Sequence, residues 1–294
     1  MPSTATASAS TTTTAAKPTV TPGRFTVNGI DYYYELHGRG EPLLLLHGGL
    51  GTLDMFGATL DQLAASHTVI AVDIQGHGRS SLGDRKFNLD DMGDDMSAIV
   101  KHLGYAQVDA MGYSFGAGIA FRFAVRHPEQ VRKLVLVSAA FSTEGFYPEM
   151  RPMQAQVSGA MAPMMKDTPM YKSYVAVAPH PEQFPQLLDR IGEFMRGSYN
   201  FRDDVKKLTM PTMLVCGDSD MFSLDHIVEF YHLLGGGLRD AGWQREHMSK
   251  NRLAILPNQT HYDMAVAPAL APTALSFLDG TTPPVWTAPV ASSK

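Results

Sequence analysis

The chain has 294 residues, a formal net charge of −5 and 18% charged side chains. That length can bury one large core, or one core with an insertion, and the acidic balance leaves no basic footprint for nucleic acid. No run approaches the roughly eighteen apolar residues of a transmembrane helix, and the single cysteine, Cys216, excludes an intramolecular disulfide framework. Cys216 lies inside the apolar run "TMLVCG", where a small buried hydrophobe is expected. No membrane association is expected, and a cytoplasmic location fits these features.

Residues 1–23 are rich in Ser, Thr and Ala, without periodicity, and are expected to be a disordered leader. They lack the apolar centre of a signal peptide. Their Ser-rich, acid-poor character leaves a transit peptide open, although such segments carry more arginine. The folded part opens at residue 24 with "RFTVNGIDYYYELHG", where Asn28-Gly29 between β-prone runs predicts a two-residue hairpin. "PLLLLHGG" follows, a continuous apolar run of strand length ended by glycines, as in strands buried on both faces. "HTVIAVDIQGHG", "AQVDAMGYS", "VRKLVLVSAA", "PTMLVCGDSD" and "NRLAILPNQTH" repeat the pattern. Between two of them, "LDDMGDDMSAIVKHLGY" places Met92, Met96, Ile99 and Leu103 on one helical face. Alternating strands and helices predict an α/β fold, with a mostly parallel sheet and helices on both faces.

The alternation breaks between residues 141 and 208, which carry seven of the 17 methionines and no buried-strand pattern. This stretch is expected to be a helical insertion over the C-terminal edge of the sheet, where open α/β sheets bind ligands. Its methionines suit core packing and adaptable binding surfaces alike. The core is then 24–140 and 209–280, followed by an irregular tail, 281–294.

"GYSFG" puts Ser114 between Gly112 and Gly116, at the junction of a predicted strand and a predicted helix. A Gly-x-Ser-x-Gly match in that context is a nucleophile elbow: the glycines let the turn close, and the serine projects at the helix N-terminus. A serine hydroxyl is a poor nucleophile at neutral pH and needs a general base, which in turn needs an orienting carboxylate. In the architecture with this elbow, acid and then histidine follow the serine in chain order. "DSDMF" supplies Asp218 and Asp220 after one strand, and "NQTHYDM" supplies His261 after the next. Asp220 is the preferred acid. Asp218 stays the alternative, with closing the turn as its simpler role, and Asp263 is too near His261 in sequence. His47 and His77 sit in glycine turns where backbone hydrogen bonding is expected, and His247 reads as a loop residue. The backbone N–H groups of Phe115 and Gly49, with Leu50 in reserve for the latter, are the expected donors to a developing oxyanion.

"HGGLG", "VDIQGHGRS", "GYSFG", "CGDSD" and "THYDM", in that order, resemble the landmarks of the α/β-hydrolase superfamily over residues 24 to 280. The resemblance implies an eight-stranded sheet and a cap domain at 141–208. It also implies Ser114 as nucleophile, His261 as base, Asp220 as its orienter, and Gly49 with Phe115 as oxyanion hole. Branches of this superfamily with an Asp nucleophile, the epoxide hydrolases and haloalkane dehalogenases, are disfavoured. The methionine-rich cap and the "EHMSKNRLAILPNQTHYDM" ending are similar to bacterial macrolide esterases, which open the lactone ring of macrolide antibiotics. One departure is the stretch "YHLLGGGLRDAGWQREHMSKN", longer than usual and expected to lengthen a loop near the site. The expected activity is hydrolysis of a small-molecule carboxylic ester or lactone through an acyl-enzyme. The alternatives are a C–C bond hydrolase and a non-catalytic receptor on the same fold. There is no P-loop and no convincing metal-ligand cluster, so no cofactor and no metal are expected. The sequence sets no oligomeric state.

Overall fold

The structure is a computed structural model and describes residues 20–281. Its first strand, β1 (Val20–Val27), begins inside the stretch expected to be leader, because Val20 to Gly23 pair with Tyr34 to His37 of β2 (Ile30–His37). The rest of the expected leader, and residues 282–294 of the expected tail, lie outside the described residues. The hairpin forms at Asn28-Gly29, both left-handed at φ 50° and 78°, the geometry that suits the twist of two paired strands.

β3 (Glu41–Leu46), α1 (Ala58–Ala64) and β4 (His67–Asp73) come next. α2 (Leu89–His102) is capped by the Asn88 side chain, which accepts the N–H groups of Asp90 and Asp91, and it buries Leu89, Met92, Met96, Ile99 and Val100. β5 (Val108–Tyr113), α3 (Phe115–Arg126) and β6 (Val131–Val137) complete the first half. β7 (Thr212–Ser219) resumes the sheet after an insertion and is followed by a further helix and strand. The helices of that insertion are α4 (Met150–Ala155), α5 (Pro169–Val177), α6 (Phe184–Arg196) and α7 (Arg202–Val205). The chain then runs through α8 (Leu224–Leu233), β8 (Arg252–Thr260) and α9 (Leu270–Leu278).

Among the described residues the sheet has eight strands in the order β1-β2-β4-β3-β5-β6-β7-β8. β1 and β2 are antiparallel and the remaining pairs from β3 to β8 are parallel. β5, for example, is buried at every residue, as a strand covered on both faces must be. One face packs on α2 and α3 through Met92, Met96, Ile99, Ile119 and Phe123; the other packs on α1 and α9 through Leu60, Leu63, Leu270 and Ala274.

The helical insertion leaves the C-terminal end of β6 and returns to the start of β7. α6 anchors it, burying Phe184, Leu187, Leu188 and Ile191. Gly192 lets Val157 approach: a Cβ there would meet the Val157 carbonyl oxygen at 1.8 Å. Arg190 ties α6 to the core by donating to the carbonyls of Asp84 and Arg85. The insertion's seven methionines are half-buried or exposed, Met164 being 75% exposed, and Met161, Met165 and Met195 pack against the edge of the core.

The long connection from α8 to β8 is not where the sequence suggested. It delivers the chain to Arg252, which pairs with Met213 at the start of β7. Asn251 fastens it there, accepting the Thr212 N–H at 2.8 Å and donating to the Leu234 carbonyl at 2.5 Å. In a parallel sheet, helix-to-strand connections enter at the N-terminal edge. The end of this loop therefore lies across the sheet from the strand ends that carry Ser114, Asp220 and His261.

Candidate active site

Four consecutive strands end on chemistry. Ser114 is the first residue after β5, Ser138 after β6, Asp220 after β7 and His261 after β8. Backbone bonds step across the same edge: Ser114 N–H donates to the Val137 carbonyl at 2.9 Å and Ser138 N–H to the Val215 carbonyl at 2.7 Å.

Ser114 stands at φ 54° and ψ −117°, a strained backbone for a residue with a Cβ. The turn closes because its neighbours have none. A Cβ on Gly112 would meet the Gly116 carbonyl oxygen at 2.2 Å, and one on Gly116 would meet the His47 carbonyl oxygen at 2.4 Å. Phe115 opens α3, so its N–H has no acceptor within the helix and sits at the positive end of the helix dipole.

His261 joins the two sides of the site. Its Nε2 lies 2.9 Å from Ser114 Oγ and its Nδ1 lies 2.8 Å from Asp220 Oδ1. A carboxylate on Nδ1 fixes the tautomer with the proton there, leaving Nε2 to accept the serine hydroxyl. His261 and Asp220 are 5% and 6% exposed. Burial pushes the Asp220 carboxyl up, but hydrogen bonds from His261, from Ser138 and from the Met221 N–H outweigh it, and the group is held below the usual carboxylate range. Asp218, the alternative acid, instead accepts the N–H groups of Asn258 and Gln259 at 3.1 and 3.3 Å and closes the β7–β8 edge. Asp263 caps the Thr260 N–H at 2.8 Å.

The loop after β3 faces the elbow. An ideal Cβ on Gly49 would stand 3.8 Å from the Cβ of Phe115, so the two expected oxyanion donors are neighbours. His47 braces this loop while wholly buried: its Nδ1 donates to the Gly48 carbonyl at 2.8 Å and its Nε2 accepts the Ile74 N–H at 3.1 Å. Burial drives its pKa down to about 4, which keeps the acceptor nitrogen unprotonated. Asp73 holds the next turn, accepting the N–H groups of Leu53 and Arg79 at 2.7 and 2.8 Å. His77 is also buried, with its Nδ1 on the Gln75 carbonyl at 2.8 Å. His247 is exposed, as a loop residue should be. Cys216 is buried and its thiol is pushed up to about 12, chiefly by burial.

Three neighbours escaped the sequence reading. Ser138 donates to Asp220 Oδ2 at 2.6 Å. Tyr113, one residue before the nucleophile position, donates its hydroxyl to the His261 carbonyl and lays its ring against Gly48, where a Cβ would meet it at 2.8 Å. Phe222 sets its ring edge-on to His261 at 5.6 Å. Only Ser138 left a signal, as a polar residue one past a strand. A cavity of about 220 Å³ under the insertion is lined in part by Phe87, Phe194, Lys86 and Arg190. The Phe115 ring lies 5.8 Å from Phe87 and 5.0 Å from Phe194, so this cavity is one aromatic ring removed from the elbow. Among the described residues, no group of three or more His, Cys, Asp or Glu could hold a metal, and no helix is long and apolar enough to cross a membrane.

Strand order, elbow and helical insertion together are those of the α/β hydrolases, and the model of that fold family matches residues 41–166. The chain has the α/β-hydrolase fold. A protein of Azorhizobium caulinodans provisionally named a carbamate hydrolase is 27% identical over 228 residues, spanning 72% of this chain and 84% of that one. The 2-hydroxymuconate semialdehyde hydrolase of a Pseudomonas strain is 39% identical over 107 residues, but that match spans only 35% of this chain and 38% of the relative. Among solved structures, the enol-lactonase of Burkholderia xenovorans superposes with a TM-score of 0.65 at 17% identity, over 87% of this chain and all of that one, a likeness of fold alone.

Proposed function

We propose that the protein is a serine hydrolase of carboxylic esters or lactones, working through an acyl-enzyme. The observation that carries this reading is the unbroken line from Asp220 through His261 to Ser114, at 2.8 and 2.9 Å, placed at a strained elbow. Ser114 Oγ attacks the acyl carbonyl while His261 Nε2 takes its proton. The N–H groups of Phe115 and Gly49 hold the oxyanion of the tetrahedral adduct. As the adduct collapses, His261 gives the proton to the departing alcohol. Water then adds to the acyl-enzyme with His261 again as base, releasing the acid and restoring the serine.

A nucleophilic serine with a histidine base suits a carbonyl carbon bearing an alkoxy leaving group, so an acyl–oxygen bond is the proposed target. The half-buried and exposed methionines of the insertion suit an adaptable, apolar substrate, and a macrolide lactone ring is the specific candidate carried forward from the sequence. The test is mass spectrometry of the protein incubated with p-nitrophenyl esters, simple lactones, macrolides and a vinylogous diketone, with Ser114→Ala alongside. A lactone heavier by one water, or an ester split into its acid and its alcohol, is expected with wild type and lost in the variant. Hydrolysis of small esters alone would discard the macrolide candidate. Cleavage of the diketone alone would select C–C bond hydrolysis, and ligand-raised Tm without turnover would select a receptor.

A further inference from the structure

Ser138 is wholly buried and stands at φ 51°, a left-handed backbone that a serine adopts at a cost and a glycine adopts freely. Its hydroxyl donates to Asp220 Oδ2 at 2.6 Å, while Asp220 Oδ1 takes His261 Nδ1 and the Met221 N–H, both at 2.8 Å. The two carboxylate oxygens are thus fixed from opposite sides. A position that asks for glycine and holds a serine instead is a place where side-chain chemistry outweighs backbone comfort.

We propose that Ser138 is a positioning residue for the acid–histidine pair: its hydroxyl locks the Asp220 carboxylate in the rotamer that meets His261 and stabilises its ionised form. This rests on the reading of the site as a serine hydrolase. The titratable groups facing Asp220 are His261 after β8, Tyr113 from β5 and Cys216 from β7. Burial first, and then Asp220 itself, push the Tyr113 and Cys216 groups up, so both stay neutral across the working range. The Asp220 charge therefore acts on His261. Removing the Ser138 donor makes the carboxylate more basic. It then holds the imidazolium form of His261 more strongly, and the acid limb of activity moves to higher pH.

The decisive variant is Ser138→Gly, which deletes the hydroxyl and relieves the backbone, with Ser138→Ala as the companion that keeps the Cβ. Full-length wild type and variants are compared by kcat and KM on a p-nitrophenyl ester, by the pH profile of kcat/KM, by Tm, and by the NMR titration of the His261 imidazole. Expected for Ser138→Gly is a kcat lower by about tenfold, the loss of roughly one hydrogen bond to a charged group. KM should stay within about twofold, Tm should be equal or higher, and the His261 titration should be displaced upward. The proposal is overturned if kcat and the His261 titration both match wild type, or if activity falls only in step with the folded fraction. An upward displacement in a protein that hydrolyses no ester would uphold the positioning role and count against the ester reading.

Discussion

Asp218 and Asp220 stand two residues apart at the end of one strand, and hydrogen bonding separates their roles. Asp220 faces His261 at 2.8 Å, whereas both Asp218 oxygens are taken by backbone N–H groups of the neighbouring strand. Asp220→Asn should lower kcat by about four orders of magnitude, because an amide cannot hold the imidazole in the tautomer that accepts from Ser114. Asp218→Asn should keep kcat within about threefold and lower Tm, through a weaker turn. Steady-state kinetics with thermal melts on both variants check the assignment, and the opposite pattern would exchange the two residues. Tyr113→Phe tests the strut between the elbow and the histidine loop. Loss of that hydroxyl frees the His261 carbonyl, and kcat should fall by about three- to tenfold with KM little changed. The serine, the acid pair and the histidine were legible because each follows an apolar run that reads as a strand. Ser138 follows one too. Its part was hidden because it depends on a backbone angle and on β6 lying beside β7, and a linear pattern holds neither.

The strand–turn–helix at 108–126 shows why the elements themselves were readable. Apolar runs of strand length ended by glycine suit strands covered on both faces, and β5 is buried at every residue, Asp109 included. The turn's glycines are required by contact distance rather than by flexibility. Gly116→Ala would drive a Cβ to 2.4 Å from the His47 carbonyl oxygen, and Gly112→Ala would meet backbone at 2.2 Å, with no flexible side chain to yield. Each should cost about 2–3 kcal/mol in urea unfolding, the upper range for overpacking. A cost under about 0.5 kcal/mol would mean that the turn relaxes freely. The α8–β8 loop differs from the sequence expectation for a topological reason. Sequence gives the order of acid, loop and histidine, but a parallel strand carries its entrance and its exit at opposite edges of the sheet. The early start of β1 went unread because "VTPG" carries no strand alternation, and its backbone pairing with β2 supplies the order instead.

At the scale of the whole molecule, three buried histidines contribute to the loss of stability in acid. Burial holds His47 at about 4, His77 at about 3 and His226 at about 4, against roughly 6.5 in an unfolded chain. Between those values the unfolded state takes up protons that the native state refuses. Their contribution to stability is therefore fully present above about pH 6.5 and is lost as pH falls toward 4. Tm should be level above about pH 6.5 with respect to these groups and should drop steadily below it; a flat Tm from pH 6.5 to 4.5 would contradict their burial as neutral rings.

Placing Ser114, Ser138, Asp220 and His261 each on the first residue beyond its strand ties them to the register of four neighbouring strands. Successive side chains along a strand point to opposite faces, so a slip of one residue in any of the four would turn its group away from the others. Molecules with a mis-registered sheet are then inert even when compact and soluble. On the hydrolase reading, the fraction of a preparation that reacts with a serine-directed phosphonate counts correctly paired sheets, and a reagent made to titrate chemistry becomes an assay of folding fidelity.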